Sequence, residues 1–193
     1  IYLDNAATSQ KKRKEVLKAV LHAMESMGNA GRSTHEAAHS STKTVFDTRV
    51  LLTEFFHGKN PSHCIFTKNS TESLNMAILG SLKPGDHVIT TVMEHNSVLR
   101  PLYAMERQGA ELSFCGLDEN GILDYASLEK LWKKNTKAIV HTHASNLTGD
   151  LVDLERIAAF VKEKSLLWIV DASQTAGVYD IDLEKLGIDI LCF

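Results

Sequence analysis

LWIVDASQTAG, residues 167–177, is an apolar run that ends at an aspartate and continues with small and polar residues. Four consecutive apolar residues, 167–170, are typical of a strand that is covered on both faces of a sheet. Asp171 then falls where that strand should end. An ionised carboxylate at the edge of an apolar core is unfavourable unless a partner compensates it. The partner is either a helix N-terminus, a lysine or arginine of the chain, or a cationic ligand.

Similar short apolar runs recur along the chain and alternate with helical patterns. The runs lie at 64–67, 87–92, 111–116, 137–143, 166–171 and 188–193. Helical patterns lie between them at about 71–82, 98–108, 125–134 and 153–164, after two longer helices at 12–27 and about 36–57. This alternation predicts an α/β fold with a doubly wound, mostly parallel sheet.

Composition argues against several classes of function. The net charge of −3 provides no attraction to nucleic acid or to a membrane surface. No apolar run reaches the roughly 20 residues of a membrane span. The three cysteines are widely spaced in apolar or strand-like settings, so we interpret them as reduced thiols of a cytoplasmic protein. Because the chain begins without methionine and stops inside an apolar run, we expect it to be incomplete.

Polar and small residues follow four of the predicted strands, at the edge where doubly wound sheets bind ligands. Their sequences are KNSTES (68–73), MEHNS (93–97), ASNLTG (144–149) and ASQTAG (172–177). Ser70 and Thr71 open a helix and offer hydroxyls beside free backbone N–H groups, which suits an anion, although a plain helix cap is the simpler interpretation. No G-x-G-x-x-G motif is present, and GSLKPGD (80–86) has Asp86 where a P-loop requires lysine.

An anion-binding turn and a carboxylate at one sheet edge fit a ligand with an anionic end and a basic ring nitrogen. Pyridoxal 5'-phosphate has both, and an aspartate normally keeps its ring nitrogen protonated. We therefore predict that Asp171 pairs with that nitrogen. His95 could stack on the ring or move protons, and Asn146 and Gln174 could hydrogen-bond the phenolic oxygen. Taken singly, each of these three would be an ordinary loop or turn residue.

Four motifs, in this order along the chain, point to one enzyme family. They are YLDNAATS (2–9), EHNSVLRPL (94–102), HASNLTG (143–149) and DASQTAG (171–177). Together they resemble the class V aminotransferases, which are fold-type-I pyridoxal-phosphate enzymes, and most of all the cysteine desulfurases among them. The resemblance implies a pyridoxal-phosphate transferase large domain, a homodimer, a sulfur-acceptor protein and the removal of sulfur from L-cysteine to give alanine and an enzyme persulfide. Other members of the family are aminotransferases or selenocysteine lyases.

The resemblance also implies roles for individual residues. Asp171 matches the aspartate at the ring nitrogen, and His95 matches the ring-stacking catalytic histidine. Ser70 and Thr71 match the phosphate-binding turn. Asn146 and Gln174 match residues near the phenolic oxygen and the substrate. Candidate substrate contacts are Asn5 and Ala6 of YLDNAATS, and Arg32 and His35 of GNAGRSTH (28–35), which resembles a loop that reaches an active site across the dimer.

Some parts of the family pattern are expected to lie after Phe193. The Schiff-base lysine follows the sixth strand in a Ser/Thr-x-His-Lys context, and the chain stops just before that point. Lys185 precedes the strand and is interpreted as a surface lysine. The catalytic cysteine and the small C-terminal domain also come later in the family. Residues 1–193 are therefore interpreted as an N-terminal segment plus most of the large domain, inactive without the remainder.

Two other classes of function remain as alternatives. HEAAH, residues 35–39, matches the zinc-protease motif H-E-x-x-H, in which both histidines share one helix face. No third ligand is evident, so we predict no metal site. HTH, residues 141–143, could be a metal pair, although strand packing is the simpler interpretation. The remaining alternative is a non-catalytic α/β fragment that binds a partner.

Overall fold

Five of the six predicted apolar runs form strands of one sheet in a computed structural model, which describes residues 1–31 and 34–193. The strands are β1 (His87–Thr91), β2 (Glu111–Cys115), β3 (Thr136–Thr142), β4 (Leu167–Asp171) and β5 (Ile190–Cys192). They are parallel throughout and lie in the order β2-β1-β3-β4-β5. The predicted doubly wound α/β sheet is therefore confirmed.

The predicted strand at 64–67 is wrong. The side chain of Asn60 caps a 3₁₀ turn at Pro61–His63, and the chain runs from there to the next helix without pairing as a strand. Ile65 and Phe66 are 62% and 47% exposed. A strand inside a parallel sheet is buried on both faces. The exposure of these two side chains therefore agrees with a segment that lies outside the sheet.

The described residues fall into two units, Ile1–Ile65 and Phe66–Phe193. The first contains the two long predicted helices, α1 (Lys14–Ser26) and α2 (Glu36–Phe55). The second contains the sheet and the remaining helices: α3 (Ser70–Ser81), α4 (Asn96–Arg107), α5 (Leu128–Leu131), α6 (Leu154–Lys164) and α7 (Leu183–Leu186). The helix predicted at 125–134 is shorter than expected, because it consists of a 3₁₀ turn, Tyr125–Ser127, followed by the four residues of α5. None of the described helices is both long enough and apolar enough to cross a membrane.

One hydrophobic core cluster of the second unit lies between the sheet and the helices α3 and α4. Fully buried side chains include Leu74 and Ile78 of α3, Val98 and Leu102 of α4, and Val140 of β3. Burying each such side chain contributes about 1.5–3 kcal/mol. This packing fixes the first turns of α3 and α4 beside the carboxyl ends of the central strands.

His141 of the HTH sequence is a core residue with both ring nitrogens engaged. Trp168 Nε1–H donates to His141 Nε2 at 2.8 Å, so His141 Nδ1 carries the proton and donates to the carbonyl of Thr142 at 2.8 Å. Burial lowers the pKa of His141 to about 4, so the ring is neutral at neutral pH. His143 Nδ1 lies 2.9 Å from Thr175 Oγ1. These contacts are those of strand packing and not of a metal pair.

Candidate functional site

The candidate site lies where the chain reverses its direction of sheet growth. β2 is added on one side of β1, and β3 is then added on the other side. In parallel α/β sheets, ligands bind at such a reversal, outside the carboxyl ends of the strands. Ladder pairing places Thr142 of β3 opposite Asp171 of β4, and Asp171 opposite Cys192 of β5. The loops that follow β1, β3 and β4 therefore open at the same edge.

The first turn of α3 offers an environment that favours an anion at this edge. Asn69 is the N-cap, and its side chain accepts from Glu72 N–H at 2.9 Å, while the Glu72 carboxylate accepts from Lys68 N–H at 2.7 Å. The Asn69 contact caps the helix, and the Glu72 contact ties the residue before the cap to the first turn, so that the helix begins at Ser70. Ser70 and Thr71 thus lie on the first turn, where free N–H groups and the helix dipole favour an anion.

Asp171 is 4% exposed and is held through one of its two carboxylate oxygens. Oδ1 accepts from Ser173 N–H at 3.0 Å and from Ser173 Oγ–H at 2.6 Å. Among the described residues, none donates a hydrogen bond to Oδ2, and no lysine or arginine forms an ion pair with Asp171. Within the part of the chain that the structure describes, no basic side chain is therefore the partner of Asp171. Oδ2 is left able to accept a hydrogen bond from a ligand.

A single hydroxyl links Asp171 to the α3 turn. Ser173 Oγ, which donates to Asp171, also lies 2.6 Å from Ser70 Oγ. Two short hydrogen bonds therefore separate the carboxylate from the first turn of α3. This spacing allows one small molecule to contact both.

A second serine links the same turn to His95. His95 is the N-cap of α4, and its Nδ1 accepts from Ser97 N–H at 3.1 Å. Ser97 Oγ lies 2.9 Å from His95 Nδ1 and 2.8 Å from Thr71 Oγ1. Because Nδ1 is an acceptor, the proton of the neutral imidazole is on Nε2. The exposed ring of His95 is thus oriented by α4 with a proton donor available at Nε2.

Sequence reasoning missed Glu94, which lies at the reversal point between β1 and β3. Its Oε1 accepts from Thr91 Oγ1 at 2.5 Å and from Thr142 N–H at 3.1 Å. Its Oε2 is buried and has no hydrogen-bond partner among the described residues. Burial, and to a lesser extent the nearby negative charge of Asp171, raise the pKa of Glu94 to about 8 against hydrogen bonds that lower it. At neutral pH the carboxyl of Glu94 is therefore mostly protonated. The available signal was a glutamate just after a buried strand, in VMEHNS (92–97).

Comparison with known proteins agrees with this geometry. The family model "Aminotransferase class-V" matches residues 1–193. The chain belongs to the class-V aminotransferase family.

Several of the proteins that the chain resembles are named cysteine desulfurases. A probable cysteine desulfurase of Synechocystis sp. is 34% identical over 99% of the chain and 47% of its own length. The apo structure of a cysteine desulfurase from Thermococcus onnurineus NA1 matches with a TM-score of 0.91 at 33% identity. The match covers 99% of this chain and 48% of the Thermococcus chain. The structure of SspA in complex with cysteine matches with a TM-score of 0.89 at 26% identity, and the match covers 99% of this chain and 56% of the SspA chain. The chain spans about half the length of the curated relatives it matches.

The remaining predicted site residues of this class-V chain are divided between the two units. Asn146 and Gln174 lie in the loops that follow β3 and β4, at the same edge as Asp171. Asn5 lies in the first unit, where its side chain accepts from Gln10 N–H at 3.4 Å, and Ala6 is its neighbour. Arg32 lies outside the described residues. Their roles in substrate binding stay predictions.

The zinc-protease alternative finds no support in the geometry of HEAAH. His35 is the N-cap of α2 and precedes the helix, and its Nδ1 accepts from Ala38 N–H at 3.3 Å. The two histidines therefore do not both lie on one helix face. Within the described ranges, 1–31 and 34–193, no group of three or more metal-ligating side chains is close enough to hold an ion.

Cys192 lies beside Asp171 but is not suited to act as a nucleophile. It is 3% exposed, and burial raises the pKa of its thiol to about 11. The thiolate is the reactive form, so we expect iodoacetamide to modify Cys192 at pH 8 at least about 100-fold more slowly in the folded protein than in urea, where a free cysteine has a pKa of about 8.5. Mass spectrometry of the peptide that contains Cys192 measures both rates. Equal rates in the folded and unfolded protein would contradict this expectation.

Proposed function

We propose that the protein to which residues 1–193 belong is a pyridoxal-phosphate-dependent cysteine desulfurase. It removes the sulfur of L-cysteine and yields alanine and a persulfide on an enzyme cysteine. The observation that carries the proposal is the buried Asp171 carboxylate with Oδ2 open, one bridging hydroxyl away from the α3 turn. The sequence relatives named cysteine desulfurase and the structural neighbour in complex with cysteine support the choice of substrate.

The residues present fit the cofactor. Pyridoxal phosphate, when bound, supplies an electron sink for the negative charge that develops on the substrate. The first turn of α3, with Ser70 and Thr71, would bind its phosphate. Asp171 Oδ2 would accept a hydrogen bond from the protonated ring nitrogen, and charges 4 Å apart attract by about 4 kcal/mol at an effective dielectric constant near 20. Glu94, mostly neutral at pH 7, leaves Asp171 as the anionic partner.

The other predicted residues complete the proposal. His95, oriented through Ser97, would stack on the ring and exchange a proton at Nε2. Asn146 and Gln174 would hydrogen-bond the phenolic oxygen and the substrate. Asn5, Ala6, Arg32 and His35 would contact the substrate, as the family resemblance implies. In this proposal the unit Phe66–Phe193 forms most of the large, cofactor-binding domain.

The proposal assigns the covalent steps to residues after Phe193. The lysine that holds the cofactor and the cysteine that accepts sulfur are expected there, so residues 1–193 alone should be inactive. Lys185 is a poor substitute, because it pairs with Glu155 at 2.9 Å and its side chain is 69% exposed. A homodimer, a sulfur-acceptor protein and a cytoplasmic location belong to the same proposal and rest on the family resemblance.

Product analysis of the full-length protein tests the proposal. Purified with pyridoxal phosphate and given L-cysteine and a reducing thiol, it should form alanine and sulfide in a 1:1 ratio. The Lys185→Ala variant is the matched control and should keep this activity, because it removes a surface ion pair only. With 2-oxoglutarate added as the amino-group acceptor, formation of a keto acid from cysteine without alanine would instead assign the protein to the aminotransferases of the family. Faster turnover of selenocysteine, with little of cysteine, would assign it to the selenocysteine lyases.

A further inference from the structure

Ser173 lies between the two groups that the proposed function assigns to opposite ends of the cofactor. Its N–H and its hydroxyl both lie within hydrogen-bond distance of Asp171 Oδ1, at 3.0 and 2.6 Å. Its hydroxyl oxygen also lies 2.6 Å from Ser70 Oγ. No part of the sequence pattern marked Ser173 as more than a loop residue.

The chemistry of the three groups fixes the direction of both hydrogen bonds. An ionised carboxylate is an acceptor only, so the Ser173 hydroxyl proton must point to Asp171. The Ser173 oxygen then accepts, and the proton between the two serines comes from Ser70. The result is a string of two hydrogen bonds, in which Ser70 donates to Ser173 and Ser173 donates to Asp171. Ser70 thus acts on the carboxylate without contacting it.

The hydrogen bonds from Ser173 restrain one oxygen of the Asp171 carboxylate, Oδ1, and leave the other, Oδ2, without a donor among the described residues. Two donors from a single residue hold Oδ1, which limits rotation of the carboxylate about its last torsion. Oδ2 accepts from none of the described residues and is thereby left as the oxygen that can accept from a ligand at the carboxyl end of β4. A preoriented acceptor binds its ligand with less loss of conformational freedom.

We propose that Ser173 is a positioning residue, which together with Ser70 holds the Asp171 carboxylate so that Oδ2 is kept for a protonated ring nitrogen. The inference rests on the proposed function, because it assigns the oxygen of Asp171 that the cofactor ring uses. It divides the work of Ser70, whose hydroxyl acts on the ring end of the site while its backbone N–H, at the start of α3, is left for the phosphate end.

A ligand that has the ring but no phosphate separates these two tasks. The probe is 4-deoxypyridoxine, which keeps the pyridine nitrogen and lacks both the phosphate and the aldehyde. Its affinity is measured by fluorescence titration of the full-length protein freed of cofactor. We expect Ser173→Ala to weaken binding about fivefold, the effect of one hydrogen bond, and Ser173→Thr, which keeps the hydroxyl, to restore it.

The decisive result is the non-additivity of two substitutions. Ser70→Ala should weaken binding of the probe about threefold in the wild-type background, although the probe has no phosphate for Ser70 to contact. In the Ser173→Ala background the same change should have no effect, because the string is already broken. Ser127→Ala is the matched control, since its hydroxyl donates to the carbonyl of Asp124 in another loop, and it should leave the affinity unchanged.

The outcomes distinguish this inference from the proposed function. Wild-type affinity in Ser173→Ala, or an equal loss from Ser70→Ala in both backgrounds, overturns the positioning role while the cofactor assignment stands. A wild-type protein that binds neither 4-deoxypyridoxine nor pyridoxal phosphate overturns both.

Discussion

Asp171→Asn in the full-length protein should weaken pyridoxal-phosphate binding about 100-fold and reduce turnover of cysteine by at least as much. Asparagine has the same shape and keeps an oxygen to accept from Ser173, so the loop after β4 should be preserved. What it removes is the negative charge. A hydrogen bond to a charged group contributes about 1.5–3 kcal/mol, and the neutral amide cannot hold the ring nitrogen protonated. Titration of the cofactor-free protein, followed by absorbance, measures the loss.

Asp118→Asn provides the matched control for this prediction. Asp118 lies in the turn after β2, where its Oδ1 accepts from the N–H groups of Asn120 and Ile122, both at 2.9 Å. The same isosteric change there should leave cofactor affinity unaltered. If Asp171→Asn bound the cofactor as tightly as the wild type, the electrostatic basis of the proposed site would be lost.

The sheet and the position of Asp171 could be predicted because their signals are local. Apolar runs bounded by turn residues identified β1 to β5 within a few residues, and a carboxylate at the end of one run marked the candidate ligand-binding edge. The run at 64–67 has the same composition but forms no strand, since strand formation depends on a neighbour to pair with. Local pattern therefore identifies candidates for strands, and tertiary pairing selects among them.

The hydrogen bonds that link the residues of the candidate site could not be predicted from local sequence pattern. Ser70 and Ser173 are 103 residues apart, and their 2.6 Å contact depends on packing α3 beside the end of β4. Ser97 and Thr71 meet in the same way across two helix N-termini. Each of these residues, read singly, is a helix cap or a loop serine. Their candidate role appears only when the fold brings a carboxylate, an imidazole and the first turn of α3 together.

Glu94 shows the same limit in its electrostatics, and it leads to the second large expected effect. The ordinary pKa of 4.5 is raised to about 8 in the folded chain, mainly by burial. Between these values the unfolded chain has lost the proton and the folded chain keeps it. The free energy of unfolding therefore falls as pH rises, by about 1.4 kcal/mol per pH unit from this group. Its favourable contribution is complete below about pH 4.5 and is lost as pH rises through the folded pKa.

Glu94→Gln should remove this pH dependence. The glutamine carbonyl can accept from Thr91 Oγ1 and Thr142 N–H as Oε1 does, so the variant should match the wild type near pH 5. By pH 8.5 we expect it to be more stable than the wild type by roughly 4 kcal/mol. Urea denaturation of the full-length protein freed of cofactor, at pH values from 5 to 8.5, measures the difference in free energy of unfolding between variant and wild type. The carboxyl of Glu106 on α4 is exposed, so the control variant Glu106→Gln should differ from the wild type by nearly zero at every pH.

The neighbouring charge supplies an internal check on this result. Asp171 raises the pKa of Glu94 by repulsion, so Asp171→Asn should lower that pKa and make the stability of the chain less dependent on pH. The two substitutions should then be non-additive at pH 8, because each relieves the same repulsion. Parallel stability curves for wild type and Glu94→Gln across the whole pH range would show that Glu94 is ionised in the folded protein. Two adjacent negative carboxylates would then face the ligand, and the assignment of Asp171 as the lone anionic partner of the ring nitrogen would be wrong.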